Sequence, residues 1–291
     1  MVAKEIFITS RPQQWIKNLF IFAAIIFSQN ILNLSLLGKT IVAFISFCLL
    51  SSSFYIFNDL QDLEEDKRHP LKSKRPLASG RLKKSYALFS FGVLGFLGLI
   101  LAASLNWPFL LISLVYFFLQ VAYSLWLKHV VILDVFVIAA GFLIRVVAGG
   151  LAIKVTLSSW LLICSTLLAL FLALSKRRHE LVLLSKEASE HRPILEEYSP
   201  YFLDQLIAVV TASIVVAYCL YTISEETVAK FGTSNLIFTV PFVLYGIFRY
   251  LYLIHQKFEG GSPELLIIKD KPLLIDIFLW IVSAILILYA R

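Results

Sequence analysis

Stretches of about twenty nearly uncharged, apolar residues recur along the chain near 17–36, 38–58, 86–105, 107–126, 134–153, 157–175, 205–224, 235–254 and 273–290, and this recurrence limits the fold more than any other feature. About 20 apolar residues in a helix cross the hydrocarbon core of a bilayer. Backbone N–H and C=O groups inside that core need partners within the protein, so only helices and closed barrels span it. Barrel strands alternate apolar and polar residues over about ten positions, whereas the run from Phe109 to Leu119 is apolar at nearly every position. The sequence therefore predicts an all-α, polytopic membrane protein, a bundle of nine transmembrane helices forming one domain over residues 1–291. Composition agrees, since 59% hydrophobic residues and a mean hydropathy of +0.84 exceed the roughly 45–50% apolar content of soluble domains. Lys4, Glu5, Arg11, Pro12 and Lys17 interrupt the start of the chain, so no cleavable signal peptide is expected. Cys48, Cys164 and Cys219 each fall in an apolar run and read as small buried hydrophobes, neither a disulfide framework nor a thiolate metal site. Gly92, Gly95 and Gly98, and again Gly149 and Gly150, place small residues where helices can approach closely.

Charge is distributed unevenly. Of the 26 Lys and Arg residues, 20 fall in the N-terminal segment and in the connections 59–85, 127–133, 176–204 and 255–272. The opposite connections and the C-terminus carry Lys39, Lys154, Lys230 and Arg291, while Arg145 and Arg249 sit within spans. By the positive-inside rule the basic face is cytoplasmic, which predicts a multi-pass protein of the cell membrane with its N-terminus inside. His69, His129, His179, His191 and His255 fall on the same face. Basic residues there can also serve topology and anionic headgroups alone, at about 1 kcal/mol each. The chain has no glycine-rich nucleotide loop, so a phosphorylated ligand would be held by the cytoplasmic mouth of the helices, and no nucleic acid partner is expected.

The second apolar run ends in Asn58-Asp59-Leu-Gln-Asp62-Leu-Glu-Glu-Asp66, followed by Lys67-Arg68-His69-Pro70 and Lys72-Ser-Lys74-Arg75-Pro76. On a continued helix Asp59, Asp62 and Asp66 stand at i, i+3 and i+7 and share one face. Carboxylates so grouped repel one another unless a cation lies between them. Magnesium suits them, because it takes oxygen ligands and bridges one or two carboxylates to substrate phosphates. The competing reading is a solvated acidic helix end paired with the basic run that follows, and His69 reads as a loop residue.

Residues 58–66 match the Asn-Asp-x-x-Asp-x-x-x-Asp signature that follows the second helix in the UbiA superfamily of intramembrane prenyltransferases, which the whole chain resembles. Lys72-x-x-Arg75-Pro76-Leu-Ala-x-Gly80, and Tyr123-Ser124 with Lys128, are similar to that family too. Within it, Arg11-Pro12-x-Gln14-Trp15-x-Lys17-Asn18 and the segment from Asp134 through Gly141 and Arg145 to Gly149-Gly150 resemble the decaprenyl-phosphate phosphoribosyltransferase branch. Ordinary members carry a second aspartate-rich motif between helices six and seven. Here that position reads Ser175-Lys176-Arg177-Arg178-His179-Glu180, a departure that fits the phosphoribosyltransferase branch.

The resemblance implies magnesium-dependent transfer of 5-phosphoribose from phosphoribosyl pyrophosphate to a polyprenyl phosphate, with release of pyrophosphate. Asp59, Asp62 and Asp66 would hold the metal, with Asn58 orienting the first carboxylate. Lys72, Arg75, Lys176, Arg177 and Arg178 would meet donor phosphates, and Gln14 and Lys17 the lipid phosphate. Tyr123 and Lys128 join the substrate-binding set by the same resemblance. Trp15 reads as an interfacial anchor. Arg145, charged within an apolar span, needs a partner or an aqueous cavity, and a site anion or a motif aspartate is the expected one. Glu180 would pair with the basic cluster or bind a second metal. The alternatives are a UbiA-type enzyme moving a prenyl chain from a prenyl diphosphate to an aromatic acceptor, and a transporter or lipid-binding protein without activity. A transporter favours broken helices near the midplane in repeated halves, whereas this acidic motif occurs once, at a helix end. Monomer and homo-oligomer both stay open.

Overall fold

Eight of the apolar runs become helices long and apolar enough to cross a membrane among the described residues. The computed structural model describes residues 2–68, 72–184, 193–257 and 263–289, and every regular element in it is helical. In chain order the α-helices are α1 (Val2–Thr9), α2 (Ala23–Phe27), α3 (Leu34–Gln61), α4 (Leu63–Arg68), α5 (Lys84–Leu105), α6 (Trp107–Leu125) and α7 (Leu133–Ile153). They continue with α8 (Ser159–Leu184), α9 (Pro200–Ile223), α10 (Glu225–Phe231), α11 (Val240–Gln256), α12 (Pro263–Lys269) and α13 (Lys271–Tyr289). The chain divides into two compact units, Met1–Val137 with Ile144–Thr156, and Ile138–Leu143 with Leu157–Arg291.

Two expected boundaries move. The run 17–36 is a 3₁₀ segment, Pro12–Phe22, followed by the short α2, and α3 starts afresh at Leu34. Local polar groups cause the break: Asn30 Nδ2 bonds the Ser28 carbonyl at 2.8 Å, Gln29 has a φ of 57°, and the Asn33 side chain accepts from the N–H groups of Ser35 and Leu36 as the cap of α3. Farther along, residues 176–184 continue α8 where a loop was expected. The acidic motif is also not one helix. α3 stops at Gln61, Asp62 takes a φ of −86° and ψ of 12°, and α4 begins at Leu63.

In the first unit α3 packs along α5 through small residues. Ser46 Oγ donates to the Gly98 carbonyl and Ser53 Oγ to the Phe91 carbonyl, both at 2.8 Å. A Cβ on Gly98 would stand 2.9 Å from Leu50 Cγ, and one on Gly95 3.1 Å from Ser53 Oγ, so both glycines set the approach. Lipid removes the hydrophobic drive between helices, leaving close packing and such hydrogen bonds to join them. Gly92, by contrast, meets nothing within 4 Å and takes no part. Gly149 of α7 faces the 3₁₀ segment so closely that a Cβ would run into the Ile21 carbonyl. Asn106 caps α6 at the Phe109 N–H (2.9 Å) and donates to the Leu151 carbonyl of α7 (2.9 Å). Phe96 and Phe118 remain 66% and 65% exposed, as expected of side chains that face lipid.

The second unit is knotted by Tyr218 of α9, whose hydroxyl pairs with Thr239 Oγ1 at 2.7 Å and accepts from Trp280 Nε1 of α13 at 2.9 Å. Arg249 of α11 grips Asp270 through two bonds of 3.1 and 2.8 Å. The Arg249 hydrogen bond holds the Asp270 carboxyl below the usual carboxylate range. Cys48, Cys164 and Cys219 are all free thiols in helices; Cys48 is buried as expected, while Cys164 and Cys219 are only half-buried.

Candidate active site

The acidic motif closes into a compact charged cluster in the first unit. Asp59, at the last turn of α3, and Asp66, in α4, are both buried. Arg75 Nη1 bridges them, 3.1 Å from Asp59 Oδ1 and 2.5 Å from Asp66 Oδ2. Arg11 donates to the same Asp59 oxygen, and Lys72 Nζ lies 3.8 Å from Asp66 Oδ1. The break at Asp62 turns its carboxylate to Lys128 Nζ (2.8 Å) and Asn58 Nδ2 (2.8 Å), rather than onto a face shared with the other two. Asn58 is in turn fixed by Ser124 Oγ of α6 at 3.0 Å. Asn58 thus orients the second carboxylate of the motif.

The loop that delivers Arg75 explains its own sequence. Leu77 and Leu82 are buried in one cluster with Ile56, Leu63 and Ala87, which pins the loop to α3, α4 and α5. Gly80 turns the chain with a φ of 76°, a conformation that costs glycine little. Backbone bonds from Ser79 N to Arg75 O and from Leu82 N to Pro76 O, both 2.9 Å, complete the turn. Four cations, Arg11, Lys72, Arg75 and Lys128, therefore meet three carboxylates. Among the described residues no three Asp, Glu, His or Cys side chains converge as a ready ligand set, because the cations stand between them. The donor chemistry still fits a hard divalent ion. One guanidinium reaches both Asp59 and Asp66, and Asp66 Oδ1 is buried without accepting a hydrogen bond.

Gln14 and Lys17 lie half-buried on the 3₁₀ segment that follows Arg11, and Tyr123 half-buried on α6 next to Ser124. Trp15, read as an interfacial anchor, hydrogen-bonds Ser52 Oγ of α3 at 2.9 Å. Arg145 is 4% exposed. Its Nε donates to Asn18 Oδ1 (2.7 Å) and its Nη2 to the Tyr116 hydroxyl (2.8 Å), with the guanidinium 4.8 Å from the Tyr116 ring centroid. Asn18 extends this network to Cys48 Sγ and Ser51 Oγ. The side chain expected to seek an anion thereby ties α7 to the N-terminal segment and α6.

The basic run of the second unit sits on the last turns of α8. Good helix formers continue to Leu184, and i, i+3 and i, i+4 pairs support them. Arg177 Nη1 bonds Glu180 Oε2 at 2.5 Å, and Lys176 Nζ lies 3.9 Å from Glu180 Oε1. Arg178 pairs with Asp204 of α9, which also meets His255 Nε2 at 3.1 Å. Arg11, Ser124, Asp204 and His255 were not singled out in the sequence. Arg11 and Ser124 carried a signal, as members of the Arg11-Pro12 and Tyr123-Ser124 motifs. His69 and His191 lie outside the described residues.

A membrane protein, helical throughout its described residues, with a paired basic and acidic cluster at the end of its first long helix, α3, has the features of an intramembrane transferase. Residues 18–180 match the UbiA prenyltransferase family, and the chain belongs to that family. It is 33% identical to a decaprenyl-phosphate phosphoribosyltransferase of Mycolicibacterium smegmatis, over 93% of this chain and 88% of that one. A Corynebacterium glutamicum protein of the same name is 30% identical over 96% and 85%. A UbiA homolog from Archaeoglobus fulgidus, solved bound to GPP and Mg2+, shares the fold with a TM-score of 0.73 and 20% identity, covering 98% of this chain and 99% of that one. The protein is thus a multi-pass membrane enzyme of the prenyltransferase type.

Proposed function

We propose that this enzyme transfers 5-phosphoribose from phosphoribosyl pyrophosphate to a polyprenyl phosphate at the cytoplasmic face. The observation that carries the reading is the end of α8, where Lys176, Arg177 and Arg178 stand and the acids beside them are engaged by cations, Glu180 by Arg177 and Lys176 and Asp204 by Arg178. A site for a second metal needs free carboxylates there, whereas cations suit a donor bearing an extra 5-phosphate. The names of the curated relatives support the same substrates.

In this reading an oxygen of the lipid phosphate attacks C1 of the ribose, the bond from C1 to the pyrophosphate oxygen breaks, and pyrophosphate leaves with the electron pair. The nucleophile is already anionic near neutral pH, so positioning and charge stabilisation carry the rate. Asp59, Asp62 and Asp66 would hold Mg2+, Asp62 after release from Lys128, and the ion would supply charge neutralisation to the pyrophosphate. Arg75 and Lys72 turn their N–H groups to the leaving oxygens, and Lys176, Arg177 and Arg178 bind donor phosphates. Gln14 and Lys17 orient the lipid phosphate, and Tyr123 and Lys128 border the donor. The N-terminus lies in the cytoplasm, on the side whose segments hold 20 of the 26 basic residues.

The test incubates detergent-purified protein and Mg2+ with labelled phosphoribosyl pyrophosphate and polyprenyl phosphate, then counts label in the organic phase. Magnesium-dependent labelling of lipid is expected. No labelling, together with prenylation of an aromatic acid from a prenyl diphosphate, would move the protein to ordinary prenyl transfer.

A further inference from the structure

Two guanidinium groups converge on one oxygen of a buried carboxylate. Arg75 and Arg11 both donate to Asp59 Oδ1. Arg75 also reaches Asp66, so its one positive charge is shared between two carboxylates at the end of α3 and the start of α4. Arg11 supplies the second positive charge, held on Asp59 where a metal ion would otherwise stand, and it arrives by an unusual route. Its backbone lies in the left-handed region, φ 51° and ψ 62°, directly before Pro12. Non-glycine residues seldom adopt this conformation, and it persists where the surroundings over-determine it. Here they do: Arg11 N donates to the Ile8 carbonyl at 3.1 Å, and its carbonyl accepts from Gln14 N at 2.9 Å. The guanidinium then lies 5.2 Å from the Tyr55 ring centroid, one turn before Asp59 on α3.

We infer that Arg11 is a gating residue: its guanidinium occupies the cation position at Asp59 and gives way only when a pyrophosphate group arrives to receive it. The inference rests on the reading of Asp59 as a metal ligand. Its physical basis is that a cation held against Asp59 repels a bare divalent ion, while an added pyrophosphate attracts both Arg11 and the ion. Metal and pyrophosphate therefore bind synergistically, and the acidic motif has low affinity for metal alone. The same chemistry serves any diphosphate-bearing donor, so the inference survives if phosphoribosyl transfer itself is disproved.

The test is a titration of the full-length protein in detergent with Mn2+, followed by electron paramagnetic resonance of the free ion, with and without inorganic pyrophosphate. Wild type should bind Mn2+ weakly alone and about tenfold or more tightly with pyrophosphate, beyond the chelation measured without protein. Arg11→Ala should bind Mn2+ alone about tenfold more tightly than wild type, with the gain from pyrophosphate reduced in proportion. Arg11→Lys, which keeps the charge, should restore the wild-type pattern. If Arg11→Ala fails to fold, Arg11→Gln keeps a hydrogen-bond donor without the charge and should behave as the alanine variant was expected to. Unchanged or weaker Mn2+ binding in the neutral variant, with Asp59→Asn losing it, would overturn the gate and leave the metal site standing. Full Mn2+ binding in Asp59→Asn would overturn both.

Discussion

Gly149→Ala tests whether the N-terminal segment is seated by backbone contact. The added Cβ would meet the Ile21 carbonyl, a backbone atom that cannot rotate away, so α7 and the 3₁₀ segment must separate. Overpacking of this kind costs about 1–3 kcal/mol, and each kcal/mol moves the melting midpoint of a chain this size by about 2–4 °C. Gly92→Ala is the internal reference, because nothing lies within 4 Å of its Cβ and alanine favours a helix by up to about 1 kcal/mol. The two substitutions make the same chemical change on different helices and should move the midpoint in opposite directions. Thermal unfolding of the detergent-solubilised protein, followed by intrinsic fluorescence, measures both. Because Gln14 and Lys17 ride on the displaced segment, Gly149→Ala should also raise KM for the lipid phosphate more than for the donor. A Gly149→Ala protein that melts with or above Gly92→Ala would refute the seating, and equal effects on both KM values would refute the assignment of the segment to the lipid.

Other outcomes follow from the same geometry. Asp59→Asn and Asp62→Asn should abolish turnover with helix content and expression retained by circular dichroism; loss of folding would make the cluster structural. Tyr218→Phe should destabilise the second unit by about 0.5–2 kcal/mol, since Trp280 Nε1 and Thr239 Oγ1 lose a shared partner, and a melting curve matching wild type would contradict this. The lowered Asp270 carboxyl contributes stability present above the unfolded value near 3.9 and lost as pH falls through the lower folded value. Melting midpoints taken from neutral pH to below 4 should therefore fall more steeply in wild type than in Asp270→Asn, and parallel curves would remove the linkage.

Apolar periodicity located the long helices because membrane-spanning sequence leaves few alternatives; Lys84–Leu105 and Trp107–Leu125 lie within two residues of the expected bounds. It failed at 17–36, where Asn30 and Asn33 satisfy backbone groups locally, and at 176–184, where charged residues continue a helix through side-chain pairs. The acidic motif was legible from spacing, and its occupants were not. Asp59 and Arg11 are 48 positions apart, and Asp62 and Lys128 are 66, so only the folded chain shows which cation meets which carboxylate. Arg145 was legible as a buried charge needing partners, yet Asn18 and Tyr116 are neutral groups that hydropathy cannot distinguish from others nearby.

The loop bearing Arg75 is anchored by Leu77 and Leu82, buried among Ile56, Leu63 and Ala87. Its order is thus paid in advance by apolar burial, and a ligand that meets Arg75 finds a guanidinium whose backbone has no conformational entropy left to lose. Donor capture should accordingly be limited by diffusion and charge attraction rather than by loop closure, with backbone amides around Ser79 and Leu82 already slow to exchange before any ligand binds.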